Sequence, residues 1–146
     1  MIPDFDEEGN LPPGVHWASF KELTERFASN EVRREQMEGL MRAARELKQA
    51  GCKTLYVDES FITAKETPAD FDACWDADGV DGDLLDPILL IFDDGRAAQK
   101  AKYAGELFPD FEELNSGQLF SEFFQTDKDT GGRKGIIAID LEDWDQ

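Results

Sequence analysis

Two short pieces of sequence decide the fold, namely Val57-Asp58-Glu59-Ser60-Phe61 and, ten residues after its serine, Asp70-Phe71-Asp72. The apolar residues before the first piece predict a strand over 53–57 that runs into a polar turn, and a second strand is predicted over 70–75. Alternate residues of a strand point to the same face, so the two aspartates would project together. Paired carboxylates beside a turn that opens a helix suit Mg²⁺ bound to a nucleoside triphosphate.

The rest of the chain predicts a single α+β domain over residues 1–146, with a mixed sheet flanked by helices. Residues 1–18 are rich in turn signals and are predicted to be an irregular arm. Ser19 begins a short helix through a capping box, and Asn30 caps a longer helix that ends near Ala50. The segment 83–92 suits a helix, although its part 88–92 also suits a buried strand. Further along, the pattern predicts a helix over 96–102 and strands over 104–108 and 134–141. It also predicts a helix that is capped at Asn115-Ser116 and contributes Phe120, Phe123 and Phe124 to the core.

Composition limits the classes of function. A net charge of −18 disfavours non-specific binding to nucleic acid, and it suits a basic partner, a small ligand held by local cations, or simply high solubility. The chain has no apolar run long enough to span a membrane, and its acidic start lacks a signal region, so we expect a cytoplasmic protein. Cys52 and Cys74 are isolated and expected to be reduced. His16 is the only histidine in the sequence, which excludes histidine-rich zinc sites, and it is predicted to lie in a loop.

An acid-x-acid pair is weak evidence in a chain with 33 acidic residues, where about seven such pairs are expected by chance. The surrounding pattern carries more weight. The segment Ser60-Phe-x-Thr-x-Lys65-x-x-Pro68-x-Asp70-x-Asp72 resembles the DNA polymerase β-like nucleotidyltransferase superfamily, in its minimal single-domain branch associated with toxin–antitoxin systems. The closing runs Phe123-Phe124-Gln125 and Gly132-Arg133-Lys134-Gly135 are also similar to the ends of those proteins.

The resemblance implies transfer of a nucleoside monophosphate from an NTP, with Mg²⁺ as cofactor, to the 3′ end of an RNA or to a protein hydroxyl. It also implies a component of a toxin–antitoxin or phage-defence system, with a cognate antitoxin or toxin protein as a further partner. The strongly negative charge counts against a large RNA footprint and favours a protein acceptor.

The same resemblance assigns roles to particular residues. Asp70 and Asp72 would bind the metal and act in catalysis, with Glu106 as the third catalytic carboxylate and Asp93 or Asp94 as the alternatives to it. Residues expected to bind the nucleotide are Ser60, Thr63, Lys65, Arg96 and Lys100. The competing interpretation of each cation is a solvated surface charge, and that of Ser60 is an ordinary helix cap.

Glu59 departs from the superfamily pattern, which has glycine before the serine. One extra negative charge about 4 Å from a triphosphate costs on the order of 4 kcal/mol, so we expect a weakened or inactive site. Three explanations are open: a degenerate member of the family, a substitution that silences a toxic enzyme, or a side chain that points away or binds metal itself. The alternative function is a catalytically inactive acidic module that docks a basic protein partner.

Overall fold

The computed structural model describes residues 2–4, 11–27, 30–58, 71–111, 119–125 and 132–144. Within them lies a mixed five-stranded sheet with helices packed against it, which confirms the predicted α+β class. The strands are β1 (Gly14–Trp17), β2 (Thr54–Val57), β3 (Phe71–Trp75), β4 (Gly105–Pro109) and β5 (Gly135–Asp140). Their order is β1-β5-β2-β3-β4. The outer pairs β1–β5 and β3–β4 are parallel, while β2 is antiparallel to both of its neighbours.

The helices described are α1 (Phe20–Phe27), α2 (Glu31–Gln49), α3 (Asp93–Tyr103) and α4 (Phe120–Phe123), with a short 3₁₀ helix at Pro87–Leu90. Both predicted caps are present. Asn30 accepts the backbone N–H of Arg33 at 2.9 Å, and the N–H of Glu22 donates to the Ser19 hydroxyl at 3.1 Å. No helix in these ranges is long and apolar enough to cross a bilayer.

The two faces of the sheet are covered differently. One face packs on α2 and forms the main core, with fully buried residues from every central element, among them Leu40, Leu47, Leu55, Val57, Ala73, Leu107 and Ile137. The opposite face carries a smaller apolar cluster around Cys74, Phe124 and Ile136. Because side chains alternate along a strand, each central strand sends its odd-numbered residues to the main core and its even-numbered residues to the other face.

The outer edge of β4 is covered by a buried glutamine. Gln99 of α3 accepts the N–H of Leu107 at 2.8 Å, and its amide nitrogen reaches the carbonyl of Leu89 at 3.4 Å. A backbone donor at the sheet edge is therefore satisfied without water, and α3 is fixed to both β4 and the 3₁₀ helix.

The predicted irregular arm is wrong for residues 14–17, which form β1 in parallel register with β5. His16 is accordingly in a strand and not in a loop. The partner of β1 lies at the other end of the chain, so local sequence gives no sign of the pairing.

The buried-strand interpretation of 88–92 is also wrong. Asp86 accepts the N–H of Ile88, and Pro87 fixes the first position of the 3₁₀ helix. Leu90 and Ile91 are exposed. The helix start predicted at Asn115-Ser116 lies outside the described residues.

Gly39 marks the closest approach of α2 to the end of α3. A methyl group at this position would lie 1.8 Å from the carbonyl oxygen of Tyr103. We expect Gly39→Ala to lower the free energy of unfolding by about 2 kcal/mol, because overpacking outweighs the better helix propensity of alanine. Urea unfolding measures this. Glu38→Ala, on the exposed side of the same helix, is the control and should change stability little. A Gly39→Ala protein as stable as the parent would contradict the packing.

Asp86 ties the 3₁₀ helix to the end of α3. Its carboxylate accepts hydrogen bonds from the Lys102 ammonium, at 2.6 Å, and from the Tyr103 hydroxyl. These bonds add to the one from the N–H of Ile88, which caps the 3₁₀ helix. Burial by itself would raise the pKa of Asp86, but the bonds from Lys102, Tyr103 and the backbone outweigh it and hold that pKa below its usual 3.8. A lowered pKa in the folded state means that the carboxylate stabilises the fold above pH 3.8 and loses this effect as pH falls below that value.

We therefore expect Asp86→Asn to cost about 2 kcal/mol at pH 7, and the difference from the parent to shrink below about pH 3.8. Urea unfolding at pH 7, 5 and 3 gives the profile. Asp83→Asn, an exposed acid in the same region, should show no such trend. A difference in unfolding free energy that stays constant down to pH 3 would contradict the role assigned to Asp86.

Candidate functional site

Three carboxylate residues lie side by side on three neighbouring strands. Asp72 on β3 and Glu106 on β4 are register partners. Asp58 directly follows β2, and its backbone N–H donates to the carbonyl of Asp72 at 2.8 Å. Directly opposite residues share a face, so all three project from the face opposite α2. This carboxylate row, Asp58–Asp72–Glu106, is the centre of the candidate site.

Glu106 is held by two cations from α3. Its Oε1 accepts Arg96 Nη2 at 2.8 Å and Arg96 Nε at 3.1 Å, and it lies 3.3 Å from Lys100 Nζ. Burial tends to raise the pKa of Glu106, but the hydrogen bond from Asp72 and the contacts with Arg96 and Lys100 bring that pKa below its usual value. Glu106 is thus ionised at neutral pH.

The backbone of α3 is strained where it delivers Arg96. Asp94, Gly95 and Arg96 have φ values of 52°, 63° and 65°, all in the left-handed region. Non-glycine residues in that region cost on the order of 1 kcal/mol each, and such strain concentrates at functional sites. The Arg96 guanidinium carbon also lies 5.7 Å from the centre of the Phe108 ring. Strained backbone, ring and carboxylate together fix the guanidinium beside the carboxylate row.

The third carboxylate, Asp58, has a buried cationic partner. Lys134 Nζ lies 3.6 Å from Asp58 Oδ1, and the side chains are only 7% and 11% exposed, respectively. The sequence suggested Lys134 as a cation that could reach a phosphate or an acceptor strand, but it did not place Asp58 in the site. The available signal was that Asp58 ends a buried apolar strand opposite Asp72, since a charge in such a position needs a partner. Lys134 is far away in sequence, so only the β2–β5 pairing identifies it.

Aromatic rings lie next to the carboxylates on the same face. Phe108 stacks on Phe120 at 4.6 Å between ring centres and 8° between planes, and on Phe92 at 5.9 Å and 6°. Phe124, predicted to be core, is 5% exposed. Phe92 at the open end of the stack is 38% exposed. The stack therefore joins a small core to solvent beside Arg96.

The structure brings together four of the predicted site residues, namely Asp72, Glu106, Arg96 and Lys100. Asp93 and Asp94, the alternatives to Glu106, lie at the exposed start of α3 and not on a strand beside Asp72. The other predictions fall outside the described residues: Asp70, Ser60, Thr63, Lys65 and the departure at Glu59.

The described residues supply only part of a magnesium site. Asp72 and Glu106 offer the oxygen ligands that Mg²⁺ prefers. No group of three or more His, Cys, Asp or Glu side chains within the described ranges is arranged to hold a metal ion. Glu106 is moreover already neutralised by Arg96 and Lys100. A full ligand set would need Asp70 beside Asp72, as the sequence predicts.

Cysteine and histidine chemistry does not suit this fold. Cys52 and Cys74 are both buried thiols. Burial raises the pKa of Cys52 to about 12 and also raises that of Cys74, so neither is a thiolate at neutral pH. The ring nitrogen Nε2 of His16 lies 2.7 Å from the carbonyl oxygen of Pro12 and makes a local contact.

The energetic coupling between Asp58 and Lys134 can be tested with a double-mutant cycle. Lys134→Met leaves a buried carboxylate without its cation, and we expect a loss of about 3 kcal/mol in the free energy of unfolding. The double variant Asp58→Asn/Lys134→Met should recover part of this loss, because no buried charge is left without its partner. Urea unfolding of the four proteins forms the cycle. Purely additive losses would contradict the pairing.

Comparison with known proteins completes the description of this chain. No curated protein gives a significant match, and no solved structure does so. A family model described as "Family of unknown function (DUF6932)" matches residues 3–140, which is nearly the whole chain. The chain therefore belongs to the DUF6932 family.

Proposed function

We propose that this chain is a Mg²⁺-dependent nucleotidyltransferase-like protein whose site is the carboxylate row. The supporting observation is the pairing of Asp72 with Glu106 across β3 and β4, with Arg96 and Lys100 within 3.3 Å of the same carboxylate. A sheet face that presents acids and cations together suits a metal-bound triphosphate, which carries both positive and negative groups.

The acids have distinct roles in this proposal. Asp72, together with Asp70, would hold Mg²⁺, which when bound neutralises the triphosphate and polarises its α-phosphoryl group. Glu106 is kept ionised by Arg96 and Lys100 and hydrogen-bonds to the Asp72 side chain, so it would hold that side chain in position. Asp58 supports Asp72 through the backbone hydrogen bond, and Lys134 balances its charge.

Arg96 and Lys100 are assigned a double role. The sequence predicted that they bind the nucleotide, and both contact Glu106 in the structure. A guanidinium has five N–H donors, of which Arg96 uses two on Glu106. The remaining donors of Arg96 would reach a phosphate. In this proposal both cations hold Glu106 in position and also bind the phosphates of the substrate.

The acceptor in this proposal is a protein hydroxyl or the 3′ end of an RNA, and the setting is a toxin–antitoxin or phage-defence system with a cognate protein partner. The net charge of −18 favours the protein acceptor, because a large RNA footprint needs a basic surface. Glu59 in place of glycine weakens the site through repulsion of the triphosphate.

The test is transfer of label from each of the four α-labelled NTPs, with Mg²⁺, to total RNA and total protein. The chain and its Glu59→Gly variant are run side by side. We expect the variant to transfer label at least about a hundredfold faster, because the repulsion is removed. Within the Glu59→Gly background, Asp72→Asn and Glu106→Gln should each reduce transfer by about a hundredfold or more.

The matched control in that background is Asp78→Asn, which removes one exposed acid beyond the opposite end of β3 and should leave transfer unchanged. Asp93→Asn and Asp94→Asn test the two alternatives to Glu106, since the loss of either acid should matter only if Glu106 is the wrong choice. Absence of transfer from both the chain and the Glu59→Gly variant would refute the enzymatic proposal. Full activity in the Asp72→Asn variant would refute the site.

A further inference from the structure

A cavity of about 500 Å³ lies away from the carboxylate row, at the carboxyl ends of β1 and β5. It is also bordered by the first turn of α1 and the segment after β5. Its lining combines aromatic rings with acids, namely Trp17, Phe20, Trp144, Glu22, Asp140 and Asp143. Every one of these residues lies in the described part of the chain. The nucleotidyltransferase proposal makes no use of this cavity.

The aromatic side of the cavity consists of two rings packed on each other and a third ring that is exposed to solvent. Phe20 packs on Trp144 with 4.5 Å between ring centres. Trp17 on the edge strand β1 is 53% exposed, an unusual state for the largest apolar side chain. Trp144 already attracts one cation of the chain itself, since the guanidinium carbon of Arg45 lies 5.8 Å from its ring centre. Aromatic faces in this region are thus suited to cations.

The charged side chains that line the cavity also favour the binding of a cation. Among the described residues that line the cavity, three are acids and one, Lys21, is a cation. Asp140 and Asp143 are exposed, and one oxygen of Asp140 accepts the N–H of Glu142 at 3.0 Å. Glu22 is partly engaged at the helix cap with Ser19. Together with the net charge of −18, this lining repels phosphates and anionic membranes and attracts cations.

We propose that this cavity binds an arginine side chain of a basic partner protein. The guanidinium would lie on the exposed Trp17 ring and meet the carboxylates of Asp140 and Asp143. A planar, weakly hydrated guanidinium stacks on aromatic rings and pairs with carboxylates through fixed N–H donors, whereas an ammonium is a compact and strongly hydrated charge. The site is independent of nucleotidyl transfer and holds whether or not the carboxylate row is active.

The chain's three tryptophans provide the test. Indole N–H resonances of the ¹⁵N-labelled protein are followed during titration with N-acetyl-arginine-N-methylamide. We expect saturable shifts for Trp17 and Trp144 and none for Trp75, which is buried in β3 and serves as the internal control. The citrulline analogue has the same shape without the charge and should cause no shift. The lysine analogue should bind about fivefold more weakly.

Two charge-matched double variants separate a specific site from general attraction. Asp140→Asn/Asp143→Asn should weaken binding of the arginine probe by about tenfold. Asp78→Asn/Asp83→Asn removes the same charge from an exposed loop outside the lining and should change binding less than twofold. An unchanged Trp75 resonance verifies that each variant is folded.

The proposal is overturned if the probe shifts no indole resonance, if Trp75 shifts with the others, or if citrulline binds as well as arginine. Equal losses in the two double variants would overturn it too, because they would show attraction to net charge alone. Equal binding of the lysine probe would show that arginine is the wrong occupant.

Discussion

The candidate site depends on the charge compensation of three acids that strand pairing forces together. Register places Asp72 beside Glu106, and the backbone bond from Asp58 extends the row to a third strand. Adjacent carboxylates repel, so each needs a partner. Arg96 and Lys100 contact Glu106, Lys134 lies near Asp58, and Asp72 is hydrogen-bonded to Glu106. The left-handed backbone of α3 lies at the point where the helix brings Arg96 beside the row.

The two faces of the sheet differ in character, which explains how a small fold can hold the carboxylate row. The main core on α2 buries the odd-numbered residues of the central strands and stabilises the fold. Among the described residues, the opposite face carries a smaller apolar cluster beside the carboxylate row. Gln99, which seals the edge of β4, keeps α3 in place without taking space on that face.

The acidity of the chain has two separate consequences. On the carboxylate row it is largely neutralised by nearby cations, which suits a metal-bound triphosphate. At the cavity beside Trp17 the acids among the described lining residues outnumber Lys21, which suits an arginine side chain. The proposed enzyme and the proposed docking site therefore use opposite arrangements of the same abundant residue type, and they lie on different parts of the sheet.

The sequence by itself determined the local elements: the α+β class, the caps at Ser19 and Asn30, and the central strands, since hydrophobic periodicity and capping chemistry act over a few residues. The family resemblance and the strand flanks also predicted Asp72, Glu106, Arg96 and Lys100 as site residues, and the structure brings these four together. Only the tertiary structure decided that β1 pairs with β5, that Lys134 faces Asp58, and that Trp17 and Trp144 border one cavity. Each of these contacts joins residues distant in the chain, and register and burial, which local pattern does not encode, determine them.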